Sequence, residues 1–247
     1  MKSIFINGHA RAGTSWLAEM LSKCSSVTYA FEPFSSNYTE FSGLDTQTIV
    51  KKMRRLQYLK QGRSKWELLS DAFFLREGSP YIRKFLPHLE EHLKALPLWD
   101  SDADTLLIKQ PRIESHYLFS ELFAGQAQFL FIDRSSLGVV DSHCFGNYWS
   151  WVEEDWNAYL MGGAKECHGE EFLREASLYP WRKLYVLVQV RKDFMQEICR
   201  SGSALLVNYE DLCASCENFF GLVDNLGLVL NDEGHQFISK KYEEVGD

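Results

Sequence analysis

The chain has no run of about eighteen or more apolar residues, the length a membrane-crossing helix requires. No secretory leader is expected either, because an apolar strand begins at Lys2, where the charged region, apolar stretch and cleavage site would lie. A cytoplasmic protein without a membrane partner is therefore expected. Positive charge is not in excess: 26 lysines and arginines stand against 34 aspartates and glutamates, a net charge of −8. That balance disfavours nucleic acids and polyanionic glycans as partners and leaves neutral or cationic small molecules open. Nor is there a cysteine framework. Cys24, Cys144, Cys167, Cys199, Cys213 and Cys216 are scattered through segments of helical character, as free thiols in a reducing compartment would be. Cys213-Ala-Ser-Cys216 has no second pair and no neighbouring histidine pair to complete four zinc ligands, so no metal is expected.

What is present is strand and helix in alternation. The length of 247 residues suits a single α/β domain with a large core. Apolar runs predict strands at 2–7, 27–31, 105–109, 128–133 and 204–208, with helices at 14–24, 114–123, 137–144, 210–226 and 232–242. The β-loop-α-β opening and the βαβ rhythm from 105 to 133 predict a mainly parallel central sheet covered by helices, a three-layer sandwich. Residues 46–96 carry three stretches of helical character and predict an all-helical insertion, the last stretch entered by Ser79-Pro80.

Directly after Ile4-Phe5-Ile6 comes Gly8-His9-Ala10-Arg11-Ala12-Gly13-Thr14-Ser15-Trp16. Gly8 and Gly13 have the spacing of the nucleoside-triphosphatase loop G-x-x-x-x-G-K-[ST], whose backbone N–H groups cradle phosphate. Thr14 occupies the place of the lysine, and the one strong cation, Arg11, lies inside the loop. A tight strand-to-helix turn with no ligand would also account for the glycines. Further on, the strand ending at Asp133 delivers Arg134, and Ser142 follows eight positions later, an arrangement able to grip a phosphate by charge-assisted hydrogen bonds. A surface arginine and a helical serine are the bland reading. Tyr209-Glu210-Asp211-Leu212 follows the last strand, where Glu210 and Asp211 favour a helix start and Tyr209 stands at a carboxyl end of the sheet.

These segments resemble those of sulfotransferases that use 3′-phosphoadenosine 5′-phosphosulfate (PAPS). Arg11-Ala-Gly-Thr-Ser-Trp16 matches the family's 5′-phosphosulfate loop, [KR]-[SA]-G-[TS]-[TS]-[WF], at every position. Arg134 to Ser142 has the spacing of its 3′-phosphate motif, R-D-P-R-x-x-x-x-S, with Ser135-Ser136 in place of the family's Asp-Pro pair. Tyr209-Glu-Asp-Leu212 with Leu226-Gly-Leu228 is similar to Y-E-D-L…F-L-G-L, and Lys109-Gln-Pro-Arg112 to the K-x-P-R element of a prokaryote-rich branch. The resemblance spans residues 8 to 228. It implies a P-loop-like sulfotransferase fold, PAPS as co-substrate and 3′-phosphoadenosine 5′-phosphate (PAP) as product. It implies that Arg11, Ala12, Gly13, Thr14, Ser15, Trp16, Arg134, Ser142 and Tyr209 bind the nucleotide, with Trp16 and Tyr209 near adenine, and that Arg11 and Lys109 act on the transferring group.

An acceptor hydroxyl needs a base. Glu32, at the carboxyl end of the second strand, is the first candidate, and His9, His116 and His143 are weaker ones, since Pro111 stands where cytosolic relatives carry a histidine. Trp149-Ser-Trp-Val-Glu-Glu-Asp-Trp156 joins aromatics to acids. It is either a helix with an aromatic core face and a solvated acidic face or, with Glu32, an acceptor pocket in which Trp149, Glu153, Asp155 and Trp156 contact a flat or cationic natural product. Two other functions fit parts of the pattern: a small-molecule kinase, opposed by Thr14 and by a 3′-phosphate grip that ATP would not use, and a non-catalytic nucleotide-binding module.

Overall fold

The computed structural model describes residues 2–31, 103–109, 116, 127–146, 149, 151–161, 164 and 168–246. Among them are five strands: β1 (Lys2–Gly8), β2 (Val27–Phe31), β3 (Thr105–Lys109), β4 (Ala127–Asp133) and β5 (Leu205–Asn208). Eight helices accompany them: α1 (Thr14–Leu21), α2 (Ser136–Gly146), α3 (Val152–Met161), α4 (Glu170–Ala176), α5 (Pro180–Arg200), α6 (Tyr209–Ala214), α7 (Cys216–Asn225) and α8 (Asp232–Gly246). The expected helical insertion at 46–96 and the helix at 114–123, apart from His116, lie outside the described residues.

The strands form one sheet in the order β2-β3-β1-β4-β5, every pairing parallel. Parallel strands are buried on both faces, which is why β1 and β3 carry the continuous apolar runs Ile4-Phe5-Ile6 and Leu106-Leu107-Ile108 at their centres. Alternation divides their side chains. Ile4, Ile6, Leu107, Leu130 and Ile132 share a core with Leu17, Ala18 and Leu21 of α1. Phe131 meets Phe194, Met195 and Ile198 of α5, and Phe5 stacks on Phe129 with ring centroids 5.2 Å apart. The arrangement is α/β and compatible with three layers.

The expected single helix over 210–226 is two. Ser215 is extended (φ −157°, ψ 151°), and its hydroxyl accepts the Asn218 amide, so a serine cap ends one helix and begins the next.

The strand order creates a crevice. From β1 the chain travels toward β2 on one side, and from β4 toward β5 on the other, so their connections diverge above the carboxyl ends, the position where open α/β sheets bind ligands. Gly8 pairs with Ile132, and Asp133 with Asn208. Register therefore brings the loop after β1, Arg134 and Tyr209 to one level of the sheet.

Candidate anion site at the carboxyl edge

Both glycines of the loop are required by their surroundings. A Cβ on Gly8 would lie 2.6 Å from Ile132 Cγ2, and one on Gly13, whose φ is +97°, 2.3 Å from the Tyr209 ring. Backbone thus packs directly against β4 and an aromatic face, with no room for a side chain. Gly13 occupies the N-cap of α1, and the first-turn amides behind it have no intrahelical acceptor by the geometry of the α-helix. Amides and the positive end of the dipole make such a terminus a place for an anion. Thr14 is buried, whereas Arg11 and Ser15 are exposed.

Arg11 has φ 69°, the left-handed region that residues with a Cβ rarely enter. Two contacts hold it there. Arg134 Nη1 donates to the Arg11 carbonyl at 3.0 Å, and Arg11 Nε donates to Ser142 Oγ at 3.1 Å. The Arg134 guanidinium also lies 4.8 Å from the centroid of the Tyr209 ring, a cation–π distance. Trp16 meets Tyr209 edge to face, centroids 5.8 Å apart, and Tyr242 at 6.2 Å. Burial, then a hydrogen bond with Cys213, raises the Tyr209 hydroxyl above its ordinary range, so the phenol stays neutral. Residues 11, 16, 134, 142 and 209 are therefore one contiguous cluster. A guanidinium has five N–H donors, so the bond to the Arg11 carbonyl orients Arg134 without exhausting it.

Ser135 forms the turn after β4. Its hydroxyl accepts the Gly138 amide at 3.1 Å, capping α2, and its own amide donates to Glu210 Oε1 at 2.9 Å. Glu210 thereby ties β4 to α6, while the cap of α6 is Asn208, which accepts the Asp211 amide. The dipole role expected for the two acids is joined by this cross-strand bond, which spacing alone did not indicate.

Lys109, at the end of β3, is buried, with Nζ 4.5 Å from the Phe31 ring centroid. Phe31 immediately precedes Glu32, which lies outside the described residues, as do Gln110, Pro111 and Arg112.

The Trp149–Trp156 segment differs from the expected acceptor pocket. Trp156 is 2% exposed and donates Nε1–H to Ser177 Oγ at 3.0 Å. Asp155 is 3% exposed and pairs with Arg191 Nη2 at 2.8 Å. Trp156 therefore takes the aromatic core face that the helix reading expects, beside the end of α4, and Asp155 is corrected from a solvated or pocket acid to a core residue that faces α5, because the protein itself satisfies their polar atoms. Glu153 is exposed and pairs with Lys183, and Trp149 is half-buried against the His143 ring.

The three histidines are interior. His116 packs edge-on against Phe129, centroids 4.4 Å apart, and burial lowers its pKa to about 4. His143 donates Nδ1–H to the Val139 carbonyl at 2.9 Å, and burial lowers it too. His9 donates Nδ1–H to the Ala10 carbonyl at 2.8 Å and accepts Arg191 Nη1–H at Nε2, 3.0 Å. Burial, then the nearby Arg191 charge, holds His9 well below the usual histidine range. Arg191 is the member of this network that sequence reasoning missed. Its signal was a charged residue on the apolar stripe that runs through Leu184, Leu187, Val188, Phe194, Met195 and Ile198.

Among the described residues no group of three histidine, cysteine, aspartate or glutamate side chains could hold a metal ion, and no helix is long and apolar enough to cross a membrane. Compared with protein-family models and with curated proteins, the chain matches none.

Proposed function

We propose that the protein is a PAPS-dependent sulfotransferase with a P-loop-like fold, acting on a small-molecule acceptor. The observation that carries this reading is the cluster of Arg11, Trp16, Arg134, Ser142 and Tyr209 around the N-terminus of α1. Residues far apart in the chain and resembling separate nucleotide-binding elements are in mutual contact. The group fits the residues present: backbone packed too closely for a Cβ, helix amides, two arginines and aromatic faces answer phosphates and a base.

In the proposed reaction the acceptor oxygen or amine nitrogen attacks sulfur in line, and the bond from sulfur to the bridging phosphate oxygen breaks. Positioning and charge stabilisation do most of the work, as in phosphoryl transfer. Arg11 and the loop amides stabilise the departing oxygen of PAP, with Thr14 and Ser15 at its 5′-phosphate. Arg134 and Ser142 hold the 3′-phosphate, and Lys109 serves the transferring group. Glu32 accepts the acceptor's proton. With Asp155 and Trp156 engaged in the core, a cationic acceptor loses two of its supporting residues, and a hydroxyl or amine nucleophile is the class retained.

The test is acceptor-dependent release of PAP from PAPS across a panel of small alcohols, phenols, amines and guanidines. At least one acceptor should support release, and Glu32→Gln should lower its turnover by on the order of 10²–10⁴ while PAP affinity is unchanged. Absence of release across the panel, with PAP bound tightly, would leave a binding module.

A further inference from the structure

A buried polar chain runs beneath the loop. Arg191 is 6% exposed, on the apolar side of α5, where a guanidinium is tolerated only if its donors are matched. Asp155 of α3 takes Nη2 at 2.8 Å, which balances the charge. The second partner is a loop side chain, His9, which takes Nη1 at 3.0 Å. A carbonyl oxygen can only accept, so the Ala10 contact at 2.8 Å places the proton of the neutral ring on Nδ1 and leaves the Nε2 lone pair for Arg191.

His9 holds the turn by backbone as well. Its carbonyl accepts the Ala12 amide at 3.0 Å, closing the turn around Ala10 and Arg11. Its ring stands beside those of His143, 5.8 Å away, and Trp151, 5.4 Å away. The left-handed backbone of Arg11 persists only where neighbours over-determine it. Arg134 grips the Arg11 carbonyl from above, and the His9 ring fixes the preceding carbonyl from below.

We propose that Arg191 is a positioning residue: through His9, and anchored by Asp155, it holds the Gly8–Thr14 turn in the conformation that presents Arg11 and the α1 amides to the nucleotide's phosphate. This rests on the reading of the turn as the nucleotide's 5′ site. Arg191 itself touches no ligand. Its effect passes through the histidine ring.

Arg191→Lys separates this from packing, because an ammonium can pair with Asp155 but lacks the fork that also reaches His9. The readouts are imidazole ¹⁵N shifts of His9, PAP affinity by calorimetry, and thermal midpoint. The wild type should show His9 protonated at Nδ1. In Arg191→Lys the Nε2 signal should move downfield as it loses the Arg191 hydrogen bond while Nδ1 stays protonated against the Ala10 carbonyl, with PAP binding weakened about tenfold and the thermal midpoint near that of the wild type. His9→Gln, which restores an acceptor at similar reach, should bind PAP within about twofold of the wild type, and His9→Leu should lose about tenfold. An unchanged His9 Nε2 shift and unchanged PAP affinity in Arg191→Lys overturn the proposal, as does equal PAP binding by His9→Gln and His9→Leu. If Arg191→Lys does not fold, the two His9 variants decide. If the wild type does not bind PAP, the nucleotide reading fails, and the Nε2 shift response in Arg191→Lys decides for or against the tie between α5 and the loop.

Discussion

The loop at 8–16 and the segment at 149–156 both combine aromatic and charged residues, yet Arg11, Ser15 and Trp16 of the first and Asp155 and Trp156 of the second go to opposite fates. In the loop, Arg11 and Ser15 are exposed, Trp16 is half-buried, and their neighbours come from β4, α2 and α6 at the carboxyl edge. In α3, Asp155 and Trp156 are matched by Arg191 and Ser177 inside the protein. Residue type alone therefore does not distinguish a site from a core. Position relative to the strand ends does, because a loop leaving β1 where connections diverge cannot be covered by the next helix in the way α3 is covered by α5.

Four substitutions or conditions sharpen that contrast. The largest stability effect belongs to the core side: Trp156→Ala removes a fully buried ring and should cost about 3–5 kcal/mol, seen as a lower denaturant midpoint, while the fraction that stays folded binds nucleotide normally. On the edge side the effect should fall on binding. Arg134→Ala removes a charge-assisted donor and should weaken PAP on the order of 10–100-fold with ADP much less affected, measured by calorimetry. A matching loss for both nucleotides would mean that Arg134 shapes the turn without reading a 3′-phosphate.

Acid should act on the interior histidines. The folded pKa of His116, about 4, lies below its ordinary value of 6.5 because burial disfavours the charged ring. The unfolded chain then binds more protons, so His116's contribution is fully present above pH 6.5 and is lost as pH falls toward 4, at roughly 1.4 kcal/mol per pH unit for the single proton. His9 and His143 are lowered in the same sense and add to the slope. Urea titrations between pH 7 and 4 should show His116→Leu with a shallower decline than the wild type; equal slopes would contradict its burial as a neutral ring. The smallest effect is expected at Glu153, whose partner Lys183 it meets at the surface: Glu153→Ala should change stability by less than about 1 kcal/mol in chemical denaturation.

Much of this was legible locally. β2 and β3 have the bounds expected from their apolar runs, and β1 and β4 each extend one residue further. The break at Ser215 was hidden because apolar periodicity continues through it, while the capping hydroxyl acts only on its own turn. In the site, the glycine spacing and the positions of Arg11 and Arg134 stood out because a strand end followed by a glycine or an arginine is a local pattern. The bond from Arg134 to the Arg11 carbonyl spans 123 positions, and that from Arg191 to His9 spans 182. Neither has a local signature, since strand order decides which loops meet. Asp155 was misread for the same reason: its partner lies on α5, and a carboxylate's neighbours in sequence do not tell whether it faces solvent or a buried guanidinium.

The central claim is that the carboxyl edge binds a nucleotide phosphorylated at both its 3′ and 5′ positions. Calorimetric titration of the wild-type chain with PAP and, separately, with ADP tests it most directly. The account predicts PAP tighter than ADP by at least about tenfold, the contribution of one charge-assisted phosphate contact. Equal affinity, or a preference for ADP, would contradict it.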